Sequence, residues 1–196
     1  LQSVTVRSEN TERDPEFWEP IEVFSDVQLP TVDVQPDDDF AIMYTSGSSG
    51  FPKGVVMTHR GAISTIQSWL FGIKISARLG WSPAPMIDKK GKLFQPCSLV
   101  TVPFFHVSGT HPGILMSIWL GMKMVICHKW DPKKAVELVE REQVTRFAGV
   151  PTMSMELINA AASMGVTLDS IRNIDAGGAG RPADQVGILA EAVPHA

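Results

Sequence analysis

From Cys97 to the last residue, the sequence alternates between short apolar runs bounded by turn formers and longer stretches with helical spacing. That alternation constrains the fold more than any other feature. Strands separated by helices pack side by side in parallel, each helix crossing back over the sheet. "CSLVTVP" reads as a buried strand with "PFFHVSG" as its exit loop, and a helix is predicted over 109–120, stopping at Gly121. "KMVICH" is a strand, after which Asp131 caps a helix with Pro132 at its first position and Ala135, Leu138 and Val139 facing inward. "VTRFAGV" and "IRNIDA" are further strands, and "PTMSMELINAAASM" and "RPADQVGILAEAV" are helices. The predicted fold class is α/β, with parallel-sheet βαβ layers.

The first half divides differently. Residues 1–36 are acidic and punctuated by proline, an extended segment with room for one short helix or strand. Residues 37–196 carry the domain. "DDFAIMYT" is a continuous apolar run read as a buried strand, and "GVVMT" reads as a second. Thr58 caps a helix predicted over 59–76, with Ile63, Ile66, Leu70 and Ile73 on one face. Residues 81–97, around the turn "KKGK", read as a hairpin or a flexible excursion.

Between the two early strands lies "YTSGSSGFPKG", residues 44–54. A strand leading into a glycine-rich loop with a lysine suggests the phosphate loop G-x-x-x-x-G-K-[ST]. Here Pro52 precedes Lys53, Gly54 follows it, and a strand rather than a helix comes next. That motif is not met, but its physics is. Gly47, Gly50 and Gly54 permit positive φ or close approach, so backbone N–H groups can crowd an anion. Thr45, Ser46 and Ser48 offer hydroxyls, and Lys53 a mobile charge.

"YTSGSSGFPKGVVMTH" closely resembles the phosphate-binding signature of the adenylate-forming superfamily, which contains acyl-CoA synthetases, aryl-CoA ligases, luciferases and peptide-synthetase adenylation domains. The usual form is Y-T-S-G-[ST]-T-G-x-P-K-G, and only Ser49 departs from it. "VPFFHVSG" resembles the stretch carrying that family's histidine or aromatic gate, here His106. "GVPTMSMELI" and "IRNIDAGGAG" resemble the segments lining the acyl pocket and the adenine site. The resemblance covers roughly residues 36–196, with Gly180 standing where many members carry proline.

It implies a parent enzyme that uses ATP to activate a carboxylic acid, foremost a fatty acid, as an acyl-adenylate. Transfer to coenzyme A follows. Thr45, Ser46, Gly47, Ser48, Ser49, Gly50, Lys53 and Gly54 would hold the nucleotide phosphates, with Thr45 next to Mg²⁺. Gly177, Gly178 and Ala179 would let adenine and the acyl group approach the backbone. His106, Val150, Pro151 and Thr152 would wall the acid pocket. Without the family, the same residues read more plainly: "AGGAG" is a tight strand-to-helix turn, "GVPT" a helix start, and a histidine beside an apolar run a core residue. The family's later Y-G-x-T-E signature, its ribose-binding aspartate and its mobile domain with a catalytic lysine are not found in these 196 residues. The resemblance therefore implies a portion of the large N-terminal domain, inactive alone.

Other classes fit less well. A net charge of −4 supplies no basic field for nucleic acid. An amino-acid adenylation module would want an acidic residue in "VPFFHVSGTHPG", which has none. An aryl-CoA ligase and a non-catalytic nucleotide-binding relative remain as alternatives. Cys97 and Cys127 form no CxxC pattern, and "LQSVTVRSEN" lacks the apolar core of a signal peptide. The apolar stretch "GILMSIWLGMKMVIC" is too short for a bilayer. These features predict a cytoplasmic protein, compatible with peripheral membrane contact and with homo-oligomerisation.

Overall fold

The structure, a computed structural model, describes residues 3–6, 28, 31–47, 50–81 and 95–196. In chain order the elements are β1 (Ser3–Val6), β2 (Asp39–Thr45), β3 (Lys53–Thr58), α1 (His59–Arg78) and β4 (Cys97–Val100). A π-helical segment (Gly109–Leu115) runs into α2 (Met116–Trp119), followed by β5 (Lys123–Cys127) and α3 (Pro132–Glu142). β6 (Arg146–Gly149), α4 (Pro151–Met164), β7 (Asn173–Ala176) and α5 (Ala183–Ala192) complete the chain. One sheet runs β1-β5-β4-β6-β7, every pair parallel. The α/β class and the parallel layers are as the alternation predicts.

The register explains the core. Leu99 on β4 stands between Val125 on β5 and Phe147 on β6, and all three are fully buried. They share one face, packed with Val136 and Val139 of α3 and Leu157 of α4. Burying each such side chain stabilises the fold by roughly 1.5–3 kcal/mol. α3 starts where predicted, because Asp131 accepts hydrogen bonds from the Lys133 and Lys134 N–H groups at 3.0 and 3.1 Å. It ends at Gln143, which takes the left-handed conformation at φ 53°.

The opposite face of the sheet meets the π-helical segment. Arg146 on β6 donates to the Pro112 carbonyl at 3.2 Å, and Gly113 lies against Val100 of β4. The helix predicted over 109–120 is therefore not uniformly α. Pro112 has no N–H to return to the Ser108 carbonyl, and the turn widens until the Met116 N–H reaches the His111 carbonyl.

The early strands differ from expectation. β2 and β3 leave the parallel sheet and form their own antiparallel pair, with Thr45 opposite Lys53 and Ile42 opposite Val56. Neither is a buried strand: Ile42 is 57% and Val56 53% exposed. An apolar run records a preference for burial but not which neighbour covers it. On α1, Ala62 and Ile66 are buried, whereas Ile63 and Ile73, expected inward, are exposed. The 1–36 segment contributes β1, an edge strand of the main sheet. Most of the 81–97 excursion lies outside the described residues.

Candidate functional site

In an open parallel sheet the chain leaves each strand at the same edge, and the crevice beyond the carboxyl ends is where ligands bind. β4, β6 and β7 are neighbours, so their exit loops stand side by side. Those loops begin at Thr101, Val150 and Gly177. Direct bonds tie them together. Thr101 Oγ1 donates to the Ala148 carbonyl at 3.0 Å, and the Gly177 N–H donates to the Gly149 carbonyl at 3.0 Å. A side chain on Gly178 would point at Val150 Cγ1, 3.7 Å away. Val150, Gly177 and Gly178 thus form one continuous wall. Gly177, Gly178 and Ala179 are exposed, as is Thr152, while Pro151 is buried as the first residue of α4.

Below this edge, Arg146 and Asp175 form an ion pair at 2.7 Å across β6 and β7. The same guanidinium holds Pro112, so one side chain ties two strands to the π-helical segment.

The loop after β4 is wound tightly. The His106 N–H donates to the Pro103 carbonyl at 3.2 Å, and Thr110 Oγ1 to the Phe104 carbonyl at 2.6 Å. A Cβ at Gly109 would sit 2.1 Å from the Pro103 carbonyl oxygen, so this crossing requires glycine. The winding turns Phe105 and His106 outward. His106 Nδ1 lies 3.2 Å from the Ser108 N–H nitrogen and 3.1 Å from its hydroxyl.

The glycine–serine loop joins β2 to β3 as a hairpin. A strand follows the lysine, which is why the helix-based phosphate-loop geometry cannot form here. Gly47 and Gly50 adopt left-handed φ of 62° and 83°, and the Gly50 N–H reaches back to the Gly47 carbonyl. At Gly47 a Cβ would meet the Phe51 carbonyl oxygen at 2.2 Å. Thr45, Ser46, Lys53 and Gly54 are exposed at the hairpin mouth, and a Cβ on Gly54 would lie 2.9 Å from Ile42 Cγ2. Ser48 and Ser49 lie outside the described residues.

Phe40 links this hairpin to the rest. Its ring lies edge-on to His59 of α1 at 5.3 Å and to His111 of the π-helical segment at 6.3 Å. His111 is buried and its Nδ1 has no hydrogen-bond partner among the described residues; burial pushes its pKa down, opposed only in part by the Val107 carbonyl.

The structure therefore brings Val150, Gly177 and Gly178 together at one sheet edge, carries His106 on the exit loop of the neighbouring β4, and sets the Thr45–Lys53 mouth on a separate hairpin anchored through Phe40. Thr101, Ser108, Arg146 and Asp175 hold this arrangement, and none was singled out from the sequence. Only the hydroxyl residue following a strand at Thr101 offered a local signal.

These features define a parallel α/β class with an open edge of exit loops, and comparison with known proteins gives its family. The model of the AMP-binding enzyme family matches residues 2–195, so the chain belongs to that family. It is 29% identical over 176 residues to 4-coumarate-CoA ligase 1 of Narcissus pseudonarcissus, covering 90% of this chain and 30% of that protein. It is likewise 29% identical over 160 residues to a long-chain-fatty-acid–CoA ligase of Bacillus subtilis, covering 80% of this chain and 25% of the relative. An inhibitor-bound crystal structure of the N-terminal domain of FACL13 from Mycobacterium tuberculosis superposes with a TM-score of 0.65 at 26% identity. That match covers 83% of this chain and 36% of the other. The chain thus spans less than a third of the length of either curated relative.

Proposed function

We propose that the natural polypeptide carrying this chain activates a carboxylic acid with ATP and passes the acyl group to coenzyme A. The acid carboxylate attacks the α-phosphate, pyrophosphate leaves, and the thiol then displaces AMP from the acyl-adenylate. One observation carries this reading. The hairpin loop between β2 and β3 combines two left-handed glycines with an exposed threonine and lysine at its mouth, in a chain of the AMP-binding enzyme family.

In this reading Lys53 and the hydroxyls of Thr45 and Ser46 hold the β- and γ-phosphates so that pyrophosphate leaves in line. That is positioning and charge stabilisation rather than covalent chemistry. Among the described residues no three His, Cys, Asp or Glu side chains converge on a metal position. Mg²⁺ would then travel with the nucleotide, since it is commonly held through substrate phosphates, and Thr45 is the residue fitted to touch it. Bound there, it would neutralise charge on the departing phosphates. Gly177, Gly178 and Ala179 offer open backbone for adenine, and His106, Val150, Pro151 and Thr152 border the acid.

The acid is read as a fatty acid, supported by the long-chain-fatty-acid–CoA ligase relative and the methionine-rich segment behind Val150. An aryl acid is the second reading, favoured by the 4-coumarate-CoA ligase relative. ATP–pyrophosphate exchange by the natural polypeptide against a panel of fatty and aryl acids tests both. Exchange stimulated by fatty acids supports the first, exchange with aryl acids the second, and none with any acid contradicts acid activation.

A further inference from the structure

We propose that Ser108 is a positioning residue that locks the imidazole of His106 in the tautomer protonated at Nε2. The ring then presents a hydrogen-bond donor, not a base, to the acid substrate. The proposal rests on the reading of His106 as a wall of the acid site.

A backbone N–H can only donate. The Ser108 nitrogen lies 3.2 Å from His106 Nδ1 in donating geometry, so Nδ1 must accept and carries no proton. The Ser108 hydroxyl, 3.1 Å from the same nitrogen, is a second donor free to rotate toward it. With Nδ1 occupied, the proton of the neutral ring sits on Nε2. Among the described residues Nε2 has no hydrogen-bond partner, and the side chain is exposed on the loop that leaves β4. The lock is built locally. Ser108 takes helical angles, φ −65° and ψ −31°, where its own N–H has no intrahelical acceptor and turns back over the His106 ring.

The chemical consequence is specific. An N–H at Nε2 can bond a carboxylate oxygen of the acid and hold its other oxygen free to attack phosphorus. It cannot take a proton from the coenzyme A thiol while Nδ1 remains an acceptor.

The test is a nitrogen-15 spectrum of the natural polypeptide labelled at histidine, recorded at about pH 9, well above the usual imidazole range, without nucleotide or acid. The His106 signal is assigned by its loss in His106→Phe. The expected spectrum has one fully protonated ring nitrogen coupled to both ring C–H protons, which identifies Nε2, and one fully unprotonated nitrogen. Ser108→Ala, which keeps the backbone donor, should retain that pattern, whereas Ser108→Pro, which deletes it, should give shifts averaged between the tautomers. Averaged shifts in the unsubstituted protein, or a proton on Nδ1, would overturn the lock whether or not Ser108→Pro folds.

Adenylation rates supply the second arm. His106→Gln, whose amide N–H can replace Nε2–H, should stay within about tenfold of the parent. His106→Phe should lose about tenfold to a hundredfold. Equal rates for Phe and the parent would overturn the donor role. The spectrum needs no catalysis, so its failure is separable from failure of the ligase reading, which the exchange assay decides.

Discussion

Thr45 and Lys53 stand directly opposite each other at the mouth of the β2–β3 hairpin, the last pair before the chain enters the glycine–serine loop. Residues opposite in an antiparallel pair project from the same face. The hydroxyl and the ammonium group therefore address one region of space. If that region holds phosphate, the two should act as a unit. Thr45→Val is expected to slow adenylation by about tenfold, since the residue is exposed and its loss removes one hydrogen bond. Combined with Lys53→Ala, the loss should be smaller than the product of the single losses. Strictly multiplicative effects in the double-mutant cycle would mean that the two residues do not share a ligand.

Gly109→Ala should disturb the loop that carries His106. The added Cβ would lie 2.1 Å from the Pro103 carbonyl oxygen, and backbone must shift to admit it. A cost of about 1–3 kcal/mol is expected, typical of overpacking. Thermal melting measures it, and an unchanged melting temperature would show that the crossing is looser than its geometry requires.

Acid should destabilise the fold in two windows. Burial lowers the His111 pKa below its ordinary 6.5, so the unfolded chain takes up a proton there before the folded one does. The corresponding stability is complete above 6.5 and is lost as pH falls toward the folded value. Hydrogen bonds from Lys123 and Arg141 lower the Glu142 carboxyl below 4.5, giving a second loss beneath that pH. Melting temperature measured from about pH 8 downward should fall in both windows. His111→Gln should flatten the upper one and Glu142→Gln the lower. A His111 variant whose curve runs parallel to the parent's would contradict the first assignment.

How legible the molecule was depends on whether a feature is local. The α3 start could be read because its cap, Asp131, and its first residue, Pro132, adjoin the helix they begin. The glycine–serine loop between β2 and β3 could be read because a hairpin turn is written in consecutive residues. The covering of β2 could not, since Ile42 and Tyr44 look like core residues in any window and their exposure depends on distant packing. The π register could not be separated from an α-helix by apolar spacing, although Pro112 was its visible cause. The Arg146–Asp175 pair joins strands separated by a whole helix, and only the folded sheet brings its members together. The Ser108–His106 contact is local in sequence but arises from the tight winding of 103–110.

The central claim is that the hairpin loop grips the phosphates that leave as pyrophosphate. It is tested most directly by measuring the two half-reactions of Lys53→Ala in the natural polypeptide, using ATP with acid for the first and supplied acyl-AMP with coenzyme A for the second. Pyrophosphate is present only in the first, and a charge-assisted bond to it is worth roughly 1.5–3 kcal/mol. The account predicts adenylation slowed by about tenfold to a hundredfold with thioester formation nearly unchanged. Equal slowing of both half-reactions would contradict it and make Lys53 a structural residue of the hairpin.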